Sequence, residues 1–88
     1  MASKDLRELI DREIEKIERH RKKLDALNAP AAITGEFTSA LASAKKARAQ
    51  KGDTAIHLLA EARFLHARAR ECGLQWVDIL DKIKKTLK

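Results

Sequence analysis

The chain has 88 residues, of which 44% are apolar and 36% charged, with one Trp, two Phe and no Tyr. This balance suits one folded helical domain and excludes a disordered chain; there is no apolar run of membrane-spanning length and no secretory h-region. Nineteen basic against thirteen acidic residues give a formal charge of +6, which favours a polyanion: nucleic acid, an anionic membrane or an acidic protein, of which the membrane is not expected as a partner.

With so little aromatic mass, Leu, Ile and Ala must form the core, and a core this small gains from self-association. Cys72 is the single cysteine. No intrachain disulfide can form, which fits a reducing cytoplasm.

The first predicted helix covers about residues 4–28. Leu6, Ile10, Ile17, Leu24 and Leu27 recur at helical spacing, widened by Leu9 and Ile14. Ser3 is its expected N-cap, and Asp5 and Glu8 sit where the helix dipole favours carboxylates. Glu13 and His20 interrupt the stripe seven residues apart. They read as stripe-edge residues, or as register-setting groups in a self-paired helix. A buried carboxylate at 13 would need a cation, and Arg63 and Arg68 are the candidates.

Residues 28–35 read as a loop, because Pro30 and Gly35 punctuate it. A second helix is predicted over about 36–51, capped by Thr34, with Phe37, Ala40, Leu41, Ala44 and Ala47 inward. Its five alanines between positions 40 and 49 allow a neighbour to approach closely. Gly52 suits a left-handed position and Asp53 a cap. A third helix follows over about 53–72, with a stripe of Leu58, Ala62, Leu65, Ala69 and Cys72, widened by Ala55 and Leu59. Gly73 then reads as a helix stop. A fourth helix, about 75–87, places Trp76, Ile79, Leu80, Ile83 and Leu87 on one face, with Trp76 as a core anchor whose indole N–H reaches a carbonyl. The expected fold is therefore all-α: a small four-helix domain with the long N-terminal amphipathic helix packed on a compact three-helix unit. The stripe residues Leu6, Ile10, Ile14, Ile17 and Leu24 are also the expected interface of a homodimer.

Ala69, Gly73 and Ile79 carry the offsets of a helix–turn–helix, but Asp78 and Asp81 would then face phosphate, so an ordinary capped hairpin is preferred. Arg63, His66 and Arg70 share one side of a helix, flanked by Arg68. Together with Lys45, Lys46 and Arg48 they form the predicted nucleic-acid-binding set, acting mainly through phosphate. His57 and Glu61 have chelating spacing, but a closed zinc site needs four ligands, so neither metal nor cofactor is expected. Cys72 with His66 or His57 makes an unconvincing nucleophile–base pair on an apolar stripe.

The leading functional expectation is a small basic non-enzymatic regulator that binds nucleic acid. The alternative is a helical protein–protein interaction module. A third is a small helical enzyme with an arginine-lined pocket, built from Arg63 with Glu61 or Glu13.

Overall fold

The computed structural model describes residues 3–87, with side chains described for residues 5–87. The proposed cap at Ser3 is a side-chain role and lies outside the described residues. The described chain is all-helical, as expected, but has three helices: α1 (Ser3–Ala26), α2 (Ala31–Arg48) and α3 (Gly52–Thr86). Among the described residues, no helix is long and apolar enough to cross a membrane.

α1 ends where its pattern predicts. Asn28 takes the left-handed conformation at φ 56°. Its N–H donates to the Asp25 carbonyl at 3.0 Å, and the Ala29 N–H donates to that of Leu24 at 3.0 Å. This pair of bonds is a Schellman ending with Asn in the glycine position.

The predicted loop is shorter than expected. Pro30 sits at the N-cap with φ −62° and ψ 153°, and α2 starts at Ala31 rather than 36. Proline's fixed φ suits a helix entrance, and its carbonyl accepts the Ile33 and Thr34 N–H groups at 2.9 and 3.2 Å. Thr34 and Gly35 are therefore helical. Gly52 has the expected positive φ of 60°, but α3 is capped by Lys51, and Asp53 lies in the first turn.

The larger correction concerns Gly73. It does not stop a helix: α3 runs unbroken for 35 residues, so the predicted third and fourth helices are one, and there is no helix–turn–helix. Gly73 is buried at the crossing with α1. A Cβ built there would lie 2.7 Å from Leu24 Cδ1, so the position is small because α1 passes too close for a side chain. A mid-helix glycine costs about 1 kcal/mol relative to Ala, but an Ala Cβ at this position would collide with Leu24.

The helices alternate in direction. Glu13 and Leu24 of α1 meet His66 and Gly73 of α3, so these two helices run parallel. α2 runs against both, with Arg48 beside Asp11 and Glu36 beside Arg68. The most extensive packing is α2 on α3, where Phe37, Ala40, Ala44 and Ala47 meet Ala55, Ala62 and Ala69, all fully buried. Ile10, Ile14, Ile17 and Leu24 complete this core, with Leu6 partly buried against it. Those five residues were the expected dimer interface. They are used within the chain, because α1 is the third wall of the bundle and not a free coiled-coil strand.

α3 outruns its partners. At 1.5 Å per residue it accounts for most of the molecule's 56 Å length, and the last ten or so residues project as an overhang. Trp76 and Leu80 are half-buried at its root, while Ile79 and Ile83 are 52% exposed and Leu87 is 82% exposed. The indole N–H of Trp76 finds no acceptor among the described residues, contrary to expectation. Trp76 packs against the edge of the core rather than within it.

Gly35 and Gly73, the two glycines inside helices rather than at an end, should respond oppositely to substitution. A Cβ added at Gly35 would meet nothing within 4 Å, so Gly35→Ala should stabilise the fold by about 0.5–1 kcal/mol. Gly73→Leu should destabilise it by about 1–3 kcal/mol through overpacking against Leu24. Urea unfolding of the two variants checks both signs.

Candidate functional site

α3 turns its true inward line through Ala55, Leu59, Ala62, His66, Ala69 and Gly73. This line alternates steps of four and three; it shares Ala55, Leu59, Ala62 and Ala69 with the expected stripe, adds His66 and Gly73, and leaves Leu58 and Leu65 partly buried beside it. His66 is therefore 5% exposed and belongs to the core, not to a solvent-facing basic row. Glu13 on α1 is 6% exposed and faces it.

These groups form a chain. His66 Nδ1 lies 2.6 Å from Glu13 Oε2, and His66 Nε2 lies 2.8 Å from His20 Nδ1. The carboxylate can only accept, so Nδ1–H of His66 donates to it. In the neutral state Nε2 of His66 then accepts from Nδ1–H of His20, which leaves His20 Nε2 uncommitted. Arg63 Nε approaches the other Glu13 oxygen at 3.5 Å, so both oxygens face donors. The Phe37 ring of α2 stands edge-on to His66, 6.0 Å between centroids, and closes the inner side. The three residues are linked in series, and among the described residues no set of three converges as metal ligands.

Above the chain lies an open depression of about 180 Å³ between α1 and α3, lined by Glu13, Lys16, His20, Arg63, His66, Ala67 and Arg70. Its rim is cationic. Burial, followed by His66, Arg70, Lys23 and Arg19, lowers the His20 pKa from its ordinary 6.5. Desolvation and positive neighbours both disfavour the imidazolium.

α1 is sorted by charge around this site. Arg12, Lys16, Arg19 and Lys23 recur at steps of four, three and four and are exposed. Asp11, Glu15, Glu18 and Asp25 fall on the other flank, where Asp11 meets Arg48 of α2 at 3.3 Å. This stripe is not among the expected site residues, because Arg21 and Lys22 lie between Arg19 and Lys23 and blur its period. Helical periodicity over residues 12–23 is the signal that finds it.

The expected nucleic-acid-binding set is scattered by the fold. Arg63 and Arg70 line the α1–α3 depression, and Arg63 is held by Glu13. Arg68 turns to the opposite edge of α3, 4.0 Å from Glu36 of α2, with its guanidinium 5.8 Å from the Phe64 ring centre. Arg48 is tied to Asp11 on the α1–α2 edge. Lys45 and Lys46 are exposed on α2. His66 is internal. Of the two cations considered for Glu13, Arg63 reaches it and Arg68 does not.

No family model matches the chain, nor does any curated protein or solved structure. Among the described residues, its fold is all-α with three helices, and its site is a cationic groove over a buried carboxylate–imidazole chain.

Because the folded His20 resists protonation, the unfolded chain binds more protons at mildly acidic pH. Stability should be intact above pH 6.5 and decline as the pH falls through that value. His20→Gln should flatten this decline in urea midpoints measured between about pH 7 and about pH 5. An equal decline in the variant would show that another group is responsible.

Proposed function

We propose that this chain is a small cytoplasmic regulator that binds nucleic acid through phosphate contacts along its α1–α3 face. One observation carries the reading. Arg12, Lys16, Arg19, Lys23 and Arg70 have no carboxylate within 4.0 Å among the described residues, whereas Arg21, Arg48, Arg63 and Arg68 each have one. Tied arginines carry little net field, while untied ones attract phosphate and release its counterions on contact. The α1 stripe extends for about 16 Å, the length of a backbone track rather than of a point contact. The depression is smaller than the roughly 300–1,000 Å³ of an organic-ligand pocket, which weighs against the small-enzyme alternative.

Binding to a labelled mixed-sequence duplex, followed by anisotropy, should weaken steeply with salt. The logarithmic slope should be about −3 to −5 for up to five phosphate contacts. Replacing Lys16, Arg19 and Lys23 together by Gln should reduce that slope by about three, while replacing Lys45 and Lys46 should leave it unchanged. Absence of binding at low salt, or a triple variant equal to the native chain, refutes the reading.

The protein-interaction alternative has its own support in the α3 overhang, and its occupant is a second copy of the chain. From Trp76 at the edge of the core, Ile79, Leu80, Ile83 and Leu87 continue the inward face past the end of α1 and the start of α2. The overhang is acidic near its base, at Asp78 and Asp81, and basic toward its tip, at Lys82, Lys84 and Lys85. An antiparallel copy sets Trp76 against Leu87 and Leu80 against Ile83, with each basic tip along an acidic base. A parallel copy stacks lysine on lysine. Lys82 already pairs with Asp78 within the helix at 3.0 Å, leaving Asp81, Lys84 and Lys85 to act across the contact. Sedimentation velocity should show mass rising toward a dimer with concentration, and Ile83→Asp with Leu87→Asp should abolish the rise. A monomer at every concentration excludes this contact.

A further inference from the structure

We propose that the depression between α1 and α3 is a proton-linked oxyanion site, which seats one phosphate group against Lys16, Arg70 and the outer nitrogen of His20 and takes up one proton as it does so. The inference rests on the reading of this face as a phosphate-binding surface and adds its regulation.

Size and charge define the ligand. About 180 Å³, open to solvent and rimmed by Lys16 and Arg70, suits a single tetrahedral oxyanion. Glu13, the one carboxylate in the lining, does not oppose it. One of its oxygens is taken by His66 at 2.6 Å and the other faces Arg63 at 3.5 Å, so its charge is offset within the protein.

The hydrogen-bond order supplies the proton link. With the chain neutral, His20 Nδ1–H donates to His66 Nε2, and a lone pair occupies His20 Nε2. That lone pair repels an oxyanion. A proton from solvent added at Nε2 makes it a donor. The charge can then pass inward: the Nδ1 proton of His20 moves across the 2.8 Å hydrogen bond to His66 Nε2. His66 becomes an imidazolium that donates to Glu13 and back to His20, and His20 is neutral with its outer N–H retained. No proton is lost in the transfer, and the new positive charge rests beside a buried carboxylate, where it is best compensated.

Apart from Glu13, which favours a positive charge on His66 and is itself offset by Arg63, the charged neighbours act in one direction. On α1 these are Lys16, Arg19 and Lys23, and on α3 Arg63 and Arg70; α2 contributes only the uncharged Phe37 ring. In the empty site the cations oppose protonation of His20. A bound dianion offsets them and thereby favours it. By linkage, the proton must favour the dianion equally.

The probe is sulfate, a tetrahedral dianion whose charge is constant across the histidine range, compared with chloride at matched ionic strength. Imidazole NMR titrations would follow His20, His66 and the exposed His57. Sulfate should raise the midpoint of the coupled His20–His66 titration by about half a pH unit or more, a roughly threefold preference for the protonated site, and should leave His57 unmoved. In His20→Gln the shift at His66 should disappear. Equal midpoints in sulfate and chloride, or a shift shared by His57, overturn the proposal.

A parallel duplex titration at two pH values separates this inference from the one beneath it. Tighter duplex binding at the lower pH, lost in His20→Gln, supports both. Salt-dependent duplex binding without a sulfate shift retains the phosphate-binding face and removes the proton link. A sulfate shift without duplex binding retains the site, assigns it to small phosphate compounds and removes the nucleic-acid reading.

Discussion

The hydrogen bond from His66 to Glu13, 2.6 Å long and almost wholly buried, sets the register of α1 against α3. An apolar interface of Ile and Ala tolerates sliding by a turn at modest cost. A buried carboxylate does not, because a slide of one turn leaves it without a donor. Once Glu13 faces His66, His20 is placed two turns further along, Arg63 reaches the second carboxylate oxygen, and Leu24 passes over Gly73. The groove, its cationic rim and the close helix crossing all follow from that register.

The close crossing in turn explains the shape of the molecule. Gly73 would ordinarily mark a helix end, yet its φ is not positive and no turn follows. Its lack of a side chain lets α1 come near, and α3 passes through it unbroken. α3 then continues past the other helices and carries its apolar stripe into solvent. The stripe on Trp76, Leu80, Ile83 and Leu87 is continuous with the core line of the same helix, so a surface able to accept a second copy arises from an uninterrupted helix rather than from a separate element.

Charge is distributed by the same geometry. The acidic flank of α1 lies toward α2, and the basic flank, Arg12 to Lys23, borders α3. Most arginines on the other edges meet a carboxylate in pairs that are largely exposed and worth about 0–1 kcal/mol each. Their main effect is to neutralise those edges. Lys16, Arg19, Lys23 and Arg70 are left to act along the α1–α3 groove, where Arg70, Lys23 and Arg19 bear directly on His20, while Lys45 and Lys46 stay exposed on α2.

Local patterns by themselves determined much of this protein. The spacing of Ile10, Ile14, Ile17 and Leu24 made α1 helical, Asn28 and Pro30 bounded it, and Phe37, Ala40, Leu41, Ala44 and Ala47 defined the inward face of α2. These are matters of propensity, periodicity and backbone geometry, which act over one or two turns. Tertiary structure decided what depends on a neighbour. Whether Gly73 stops a helix or admits one depends on Leu24, forty-nine positions away. Whether His66 is a surface base or a buried relay depends on Glu13, and whether an arginine is tied or free depends on which edge its helix presents. Hydropathy found Ala55, Leu59, Ala62 and Ala69 on the α3 inward line but not His66 and Gly73, which are not apolar, yet one is buried by a carboxylate partner and the other by the absence of a side chain. Neither cause is visible along a single helix.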